Sequence, residues 1–229
     1  MSPTRRRILV IEHESDSGPA MLAERAEELG YEVTIMNAHN GVPTSIDGFD
    51  GLLVMGAVPS VNDADIQHWF QPELALLRDA DAKAVPIFGV CFGAQALAVA
   101  LGGSVTRASE PEIGWFAMET IDSDLVPEGP FFEWHIDAIS PPADATVLAR
   151  TPVCVQAYRV RNHLAVQFHP EVTEVQIGDW AHSDPETLVA LGLSKAGLLE
   201  ATAVEFPAAR HRANALCDQF LSLVGLSRS

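Results

Sequence analysis

Residues 86–101 read Pro-Ile-Phe-Gly-Val-Cys-Phe-Gly-Ala-Gln-Ala-Leu-Ala-Val-Ala-Leu, an apolar strand that turns into a helix with no loop between them. That junction leaves the chain few folds to choose from. β-Branched Val85 and Ile87 favour the strand, and Ala94 to Leu101 is rich in strong helix formers. Between them lies a Gly-x-Cys-x-Gly turn, Gly89 to Gly93. Glycine at both positions removes the Cβ atoms that would clash where the chain doubles back. A side chain on such a turn stands above the end of a sheet, at a helix N-terminus. Helix N-termini attract negative charge, which favours the thiolate form of a cysteine placed there. A small buried packing residue is the bland account of Cys91. The strand–turn–helix setting favours a nucleophile.

The rest of the first half repeats this alternation. Strands are expected at 8–11, 31–36, 51–55 and 86–90. Helices are expected at 18–29, stopped by Gly30, at 66–82, and from Cys91 onward. Such alternation builds a parallel sheet covered on both faces, with its site at the C-terminal ends of the strands. Gly56 and Cys91 both fall at such ends. From 104 to 158 the runs become shorter and strand-like, with a turn at Pro141-Pro142, and we read them as antiparallel strands extending the sheet. From Val172 the chain reads as helical, with one region over 187–204 and a last helix over 208–224. The expected fold is therefore α/β: a single flavodoxin-like domain with a mostly parallel central sheet flanked by helices. A length of 229 residues suits one such domain, with a core at about 8–175 and a helical extension at 176–229.

A thiol nucleophile needs a base, and the base needs an orienting group. Eight histidines are available, but His169 in Leu164-Ala-Val-Gln-Phe-His-Pro-Glu171 has the right surroundings. It ends an apolar strand, and Pro170 stops the ladder and holds His169 extended. In extended chain, residues i and i+2 share a face, so Glu171 can orient one imidazole nitrogen and leave the other for Cys91. A lone His-Pro-Glu would read as a surface turn. Paired with Cys91 it completes a triad.

Gly89-Val-Cys91-Phe-Gly93-Ala-Gln95 and the distant His169-Pro170-Glu171 together resemble the class I (triad) glutamine amidotransferases, over about residues 8 to 175. Leu52-Leu-Val-Met-Gly-Ala-Val-Pro-Ser60 resembles the family's glycine-rich oxyanion loop, and Glu133-Trp-His-Ile-Asp137 its substrate-closing segment. Pro111-Glu-Ile-Gly-Trp115 and Phe132-Glu-Trp-His135 are most similar to a stand-alone branch related to the amidotransferase part of GMP synthase. The resemblance implies attack by Cys91 on the γ-amide of glutamine, with His169 and Glu171 as its partners. It implies an oxyanion site at the backbone of Gly56, Ala57 and Phe92, and a pocket formed by Gln95, Ile136 and Asp137. It also implies ammonia delivered to a separate synthetase subunit, since no Gly-x-x-x-x-Gly-Lys-Ser/Thr phosphate loop occurs in this chain. No cofactor is implied.

Two positions depart from the family pattern. Ala94 stands where many members have histidine, and Gly56-Ala57-Val58 where many have consecutive glycines. If residue 57 or 58 needs positive φ, a side chain there costs about 1–2 kcal/mol. Two other readings remain: a γ-glutamyl peptidase acting on another small γ-glutamyl compound, and a catalytically idle binding domain. The net charge of −17 argues against nucleic acid, and no run of about 18 apolar residues could span a membrane. Three scattered cysteines make no disulfide framework and fit a cytoplasmic protein, with Cys154 and Cys217 as packing residues. No metal-ligand spacing of the zinc type is present; His135 is expected in a substrate-loop or structural role in preference to a second base, and Trp115 and Trp134, which could line a pocket, are expected to pack.

Overall fold

The computed structural model describes residues 5–226. The chain runs through β1 (Arg7–Glu12), α1 (Ala20–Glu28), β2 (Glu32–Asn37), β3 (Gly51–Val54), α2 (Gln67–Ala82), β4 (Ile87–Val90) and α3 (Phe92–Ala100). It continues through β5 (Ser104–Phe116), β6 (Glu119–Thr120), β7 (Phe131–Ser140), β8 (Thr146–Arg150), β9 (Val155–Val160) and β10 (His163–Val166). Three helices follow: α4 (Glu174–Ser183), α5 (Pro185–Ala190) and α6 (Lys195–Leu226). Eight strands form one sheet in the order β2-β1-β3-β4-β10-β9-β8-β6. The first five of these are mutually parallel, and β9, β8 and β6 add an antiparallel edge.

Strand alternation divides the core. Leu9, Ile11, Leu52, Val54 and Ile87 face α2 and α3, while Ile8, Val10, Leu53, Phe88 and Val90 face α1 and α6. Because β1, β3, β4 and β10 are parallel, their C-terminal ends lie on one edge of the sheet, and the residues just past them come together there.

Two expectations need correction. The antiparallel strands expected over 104–158 extend the sheet at β6, β8 and β9, but β5 and β7 pair only with each other, antiparallel, as a separate two-stranded sheet. Its inner residues pack elsewhere: Val105 and Ile139 join the α3 side, and Ile113 and Phe132 join α4, α5 and α6. The expected break between residues 204 and 208 is also absent. α6 is one helix that continues through Pro207. An interior proline costs a helix about 3 kcal/mol. Ala209, Ala213, Leu216, Cys217, Phe220, Leu221 and Val224 offset that cost by burying one continuous face. Among the described residues no helix is long and apolar enough to cross a membrane.

Candidate active site

Cys91 occupies the step between β4 and α3 with φ +51° and ψ −108°. Left-handed backbone at a non-glycine residue costs about 1–3 kcal/mol and persists only where its surroundings hold it. The holding contacts are clear. The Cys91 N–H donates to the Val166 carbonyl of β10 at 2.8 Å, and the Gly93 N–H donates to the Met55 carbonyl at 3.1 Å. A Cβ on Gly93 would lie 2.1 Å from the Val54 oxygen, and one on Gly89 would lie 2.6 Å from the Gly93 oxygen. Both glycines are thus required for close approach. The positive φ falls on the cysteine between them.

His169 follows β10, and its N–H donates to the Phe132 carbonyl of β7 at 2.8 Å. Its Nδ1 lies 2.8 Å from Oε1 of buried Glu171, and the Cys91 thiol is close enough to act on the imidazole electrostatically. Burial alone would lower the pKa of His169. Glu171 and Cys91 outweigh that and hold it well above the usual value. The Trp180 ring stands edge-on to His169, with centroids 4.9 Å apart. A Cβ on Gly56 would lie 3.2 Å from His169 Cε1 and 3.7 Å from the Cys91 Cβ, so the loop, the imidazole and the thiol meet there. Neither Ala57 nor Val58 has positive φ. The strain expected for a loop without paired glycines does not arise.

Gly56, Ala57, Cys91, Gln95, Ile136, Asp137 and His169 all line one cleft of about 620 Å³. Phe92 and Glu171 lie behind its wall. The Phe92 ring is in the core, with its N–H in the first turn of α3, and Glu171 backs His169. Gln95 donates to Gln167 Oε1 at 3.2 Å, and Gln167 donates to the Cys91 sulfur at 3.5 Å. Asp137 accepts from the Ser60 hydroxyl at 2.6 Å and lies 3.7 Å from Arg107. Ala94 is buried, and its carbonyl accepts from the Tyr158 hydroxyl at 2.7 Å.

The opposite wall was not foreseen. Trp180, Asp184, Thr187 and Leu191 of the α4–α5 region line the cleft, as do Asp16, Ser17 and Trp134. A signal was available in Thr173-x-x-Gln176. This capping box starts α4 only three residues after Pro170, so the helix has to begin beside the base. Trp134 thus has a cleft role, whereas Trp115 packs and donates to the Thr202 hydroxyl at 3.0 Å.

Next to the cleft, which His135 itself lines, β5, β7, the bend before β9 and β9 bring Glu112, Glu133, His135, Cys154 and Gln156 together. His135 Nε2 lies 3.3 Å from both Glu112 and Glu133, and its Nδ1 lies 3.0 Å from the Asp137 carbonyl. The Glu112, His135 and Cys154 ligand atoms all fall within 4.8 Å of one another, a grouping that linear spacing concealed and that could hold a metal ion. An imidazolium bridging two carboxylates accounts for the same contacts, and burial with Glu112 pushes the Cys154 thiol well up. Burial opposes charge on His135, but Glu112 and Glu133 raise its pKa from 6.5 to about 10. Burial likewise lifts Glu133 from 4.5 to about 7. Both shifts are upward, so at these two groups the folded chain holds protons that the unfolded one has already released. The Glu133 contribution fades as the pH rises from 4.5 to about 7, and the His135 contribution fades from 6.5 to about 10. Thermal unfolding midpoints should therefore fall across that upper window, and His135→Gln should flatten the fall. An unchanged slope in the variant would place the titrating group elsewhere.

The family model for class-I glutamine amidotransferases matches residues 11–179. A glutamine-hydrolysing GMP synthase subunit from Thermoplasma acidophilum is 34% identical over 165 residues, covering 66% of this chain and 77% of that one. The glutamine-hydrolysing GMP synthase of Aeropyrum pernix is 35% identical over 168 residues, covering 69% of this chain. The match takes in only 31% of that longer protein. A crystal structure of a glutamine amidotransferase from Methylobacillus flagellatus superposes with a TM-score of 0.90 at 26% identity, covering 96% of each chain. With its elbow, its His169–Glu171 pair and these matches, the chain belongs to the class-I glutamine amidotransferase family.

Proposed function

We propose that this chain hydrolyses the γ-amide of glutamine through a thioester on Cys91 and releases ammonia for a synthetase on a separate chain. The Cys91 thiolate attacks the amide carbon, and the oxyanion that forms is held by backbone N–H groups at Ala57 and Phe92. His169, oriented by Glu171, gives a proton to the departing nitrogen, the C–N bond breaks, and ammonia leaves. Water then attacks the γ-glutamyl thioester, giving up a proton to His169, and glutamate leaves as the thiol is restored. Each oxyanion donor contributes about 3–4 kcal/mol in comparable sites. The observation that carries the reading is the left-handed Cys91 on its two-glycine turn, facing His169 and Glu171. The partner synthetase is suggested by the Thermoplasma relative, which is named as one component of a synthase. Three unpaired thiols support a cytosolic setting, and we take the core and the helices after residue 175 as one functional domain.

One observation favours a second reading, a γ-glutamyl peptidase or hydrolase. The cleft, of about 620 Å³, extends past Asp137 to the α4–α5 wall and is roomy for one free amino acid. Clefts of about 300–1,000 Å³ hold ligands of drug size. Purified protein should release ammonia from glutamine, faster with its synthetase present. Faster turnover of γ-glutamyl dipeptides than of glutamine would establish the second reading, and turnover of neither would leave the idle binding domain.

A further inference from the structure

The loop at Gly56 has a support that neither the elbow nor the triad explains. His13 directly follows β1, and its side chain is wholly buried together with that of Glu73 from α2. His13 Nδ1 lies 3.0 Å from the Gly56 carbonyl, and Nε2 lies 2.9 Å from Glu73 Oε2. A carbonyl only accepts, so Nδ1 carries a proton however the proton between Nε2 and the carboxyl is shared. The rings of Phe92 and Trp69 pack on the imidazole at 4.9 and 5.2 Å. Asn37 donates to the His13 carbonyl at 3.0 Å, so side chain and backbone are both fixed. Burial works against charge on His13, but Glu73 outweighs it and raises the pKa.

A trans peptide is planar, so the Gly56 carbonyl and the Ala57 N–H point in opposite directions. The buried imidazole holds that carbonyl toward the interior. The Ala57 N–H is thereby turned toward the cleft, whose wall includes both Ala57 and Cys91. That N–H donates to no acceptor among the described residues.

We propose that His13, held by Glu73, is a positioning residue that clamps the Gly56 carbonyl and aims the Ala57 N–H at the substrate oxyanion. The proposal deepens the amidohydrolase reading and rests on it. Removing His13 alone would leave Glu73 buried without a partner, so the test uses paired substitutions. H13L/E73M replaces the clamp with apolar bulk, and H13N/E73Q keeps an N–H donor near the Gly56 oxygen. Turnover is measured with glutamine and γ-glutamyl-p-nitroanilide, and alkylation of Cys91 is measured with iodoacetamide. Alkylation displaces iodide at a saturated carbon and forms no oxyanion. H13L/E73M should lower kcat by about 10²-fold with little change in KM, since a lost oxyanion donor has that effect. Its alkylation rate should match the wild type, and H13N/E73Q should recover most of the turnover. Unchanged turnover in H13L/E73M would overturn the clamp, as would alkylation falling in step with turnover. If the wild type turns over neither substrate, the amidohydrolase reading fails and takes the clamp with it.

Discussion

Cys91→Ser should lose at least about 10³-fold of turnover on any γ-glutamyl substrate while melting close to the wild type. The substitution keeps the size and position of the side chain and removes only its acidity. Serine meets the same φ of +51° and the same bond from its N–H to Val166, so the strain at the elbow is common to both proteins. His169 and Glu171 remain 2.8 Å apart, yet the base they form is matched to a thiol and not to a far less acidic alcohol. Initial rates of ammonia release and a thermal melt check both halves. Turnover within tenfold of the wild type would remove Cys91 from the chemistry.

Gly93→Ala should be about as damaging, through structure. Its Cβ would be placed 2.1 Å from the Val54 oxygen and 2.6 Å from the Val54 carbonyl carbon. Those atoms belong to β3, which is paired with β1 and β4 along its length, so the clash cannot be relieved by rotating a side chain. The expected cost exceeds about 4 kcal/mol, the range of severe core defects. Turnover should fall as well, because Cys91 rides on the same turn. Gly178→Ala is the control: in α4 its Cβ meets only Leu199, at 3.8 Å, and should stabilise by about 0.5–1 kcal/mol. If Gly93→Ala melts like the wild type, the close approach of β3 and α3 is wrong.

Local pattern carried the parallel half of the molecule and the triad. β-Branched runs, glycine stops and the proline after His169 each act within a few residues, so Cys91, His169 and Glu171 could be read from the chain. Pairing over long distances could not. Nothing in the composition of β5 distinguishes a strand at the edge of the main sheet from one paired only with β7. Pro207 marked a break that α6 avoids, because the apolar face beyond it outweighs one lost hydrogen bond. The Glu112–His135–Cys154 grouping joins β5, β7 and the bend before β9. Its members carry no spacing to notice.

The layout of the cleft has an evolutionary consequence. In the proposed mechanism the reacting groups come from residues 57, 91, 92, 169 and 171, while the facing wall includes six residues of the short stretch at 180–191. That stretch is downstream of every strand in the sheet, but Trp180 stands edge-on to His169, so its start is tied to the reaction centre and the freer cleft positions lie beyond it, from 183 to 191. On the proposed chemistry, substitutions at those positions would change which donor the cleft accepts while Cys91, His169 and Glu171 stay in place.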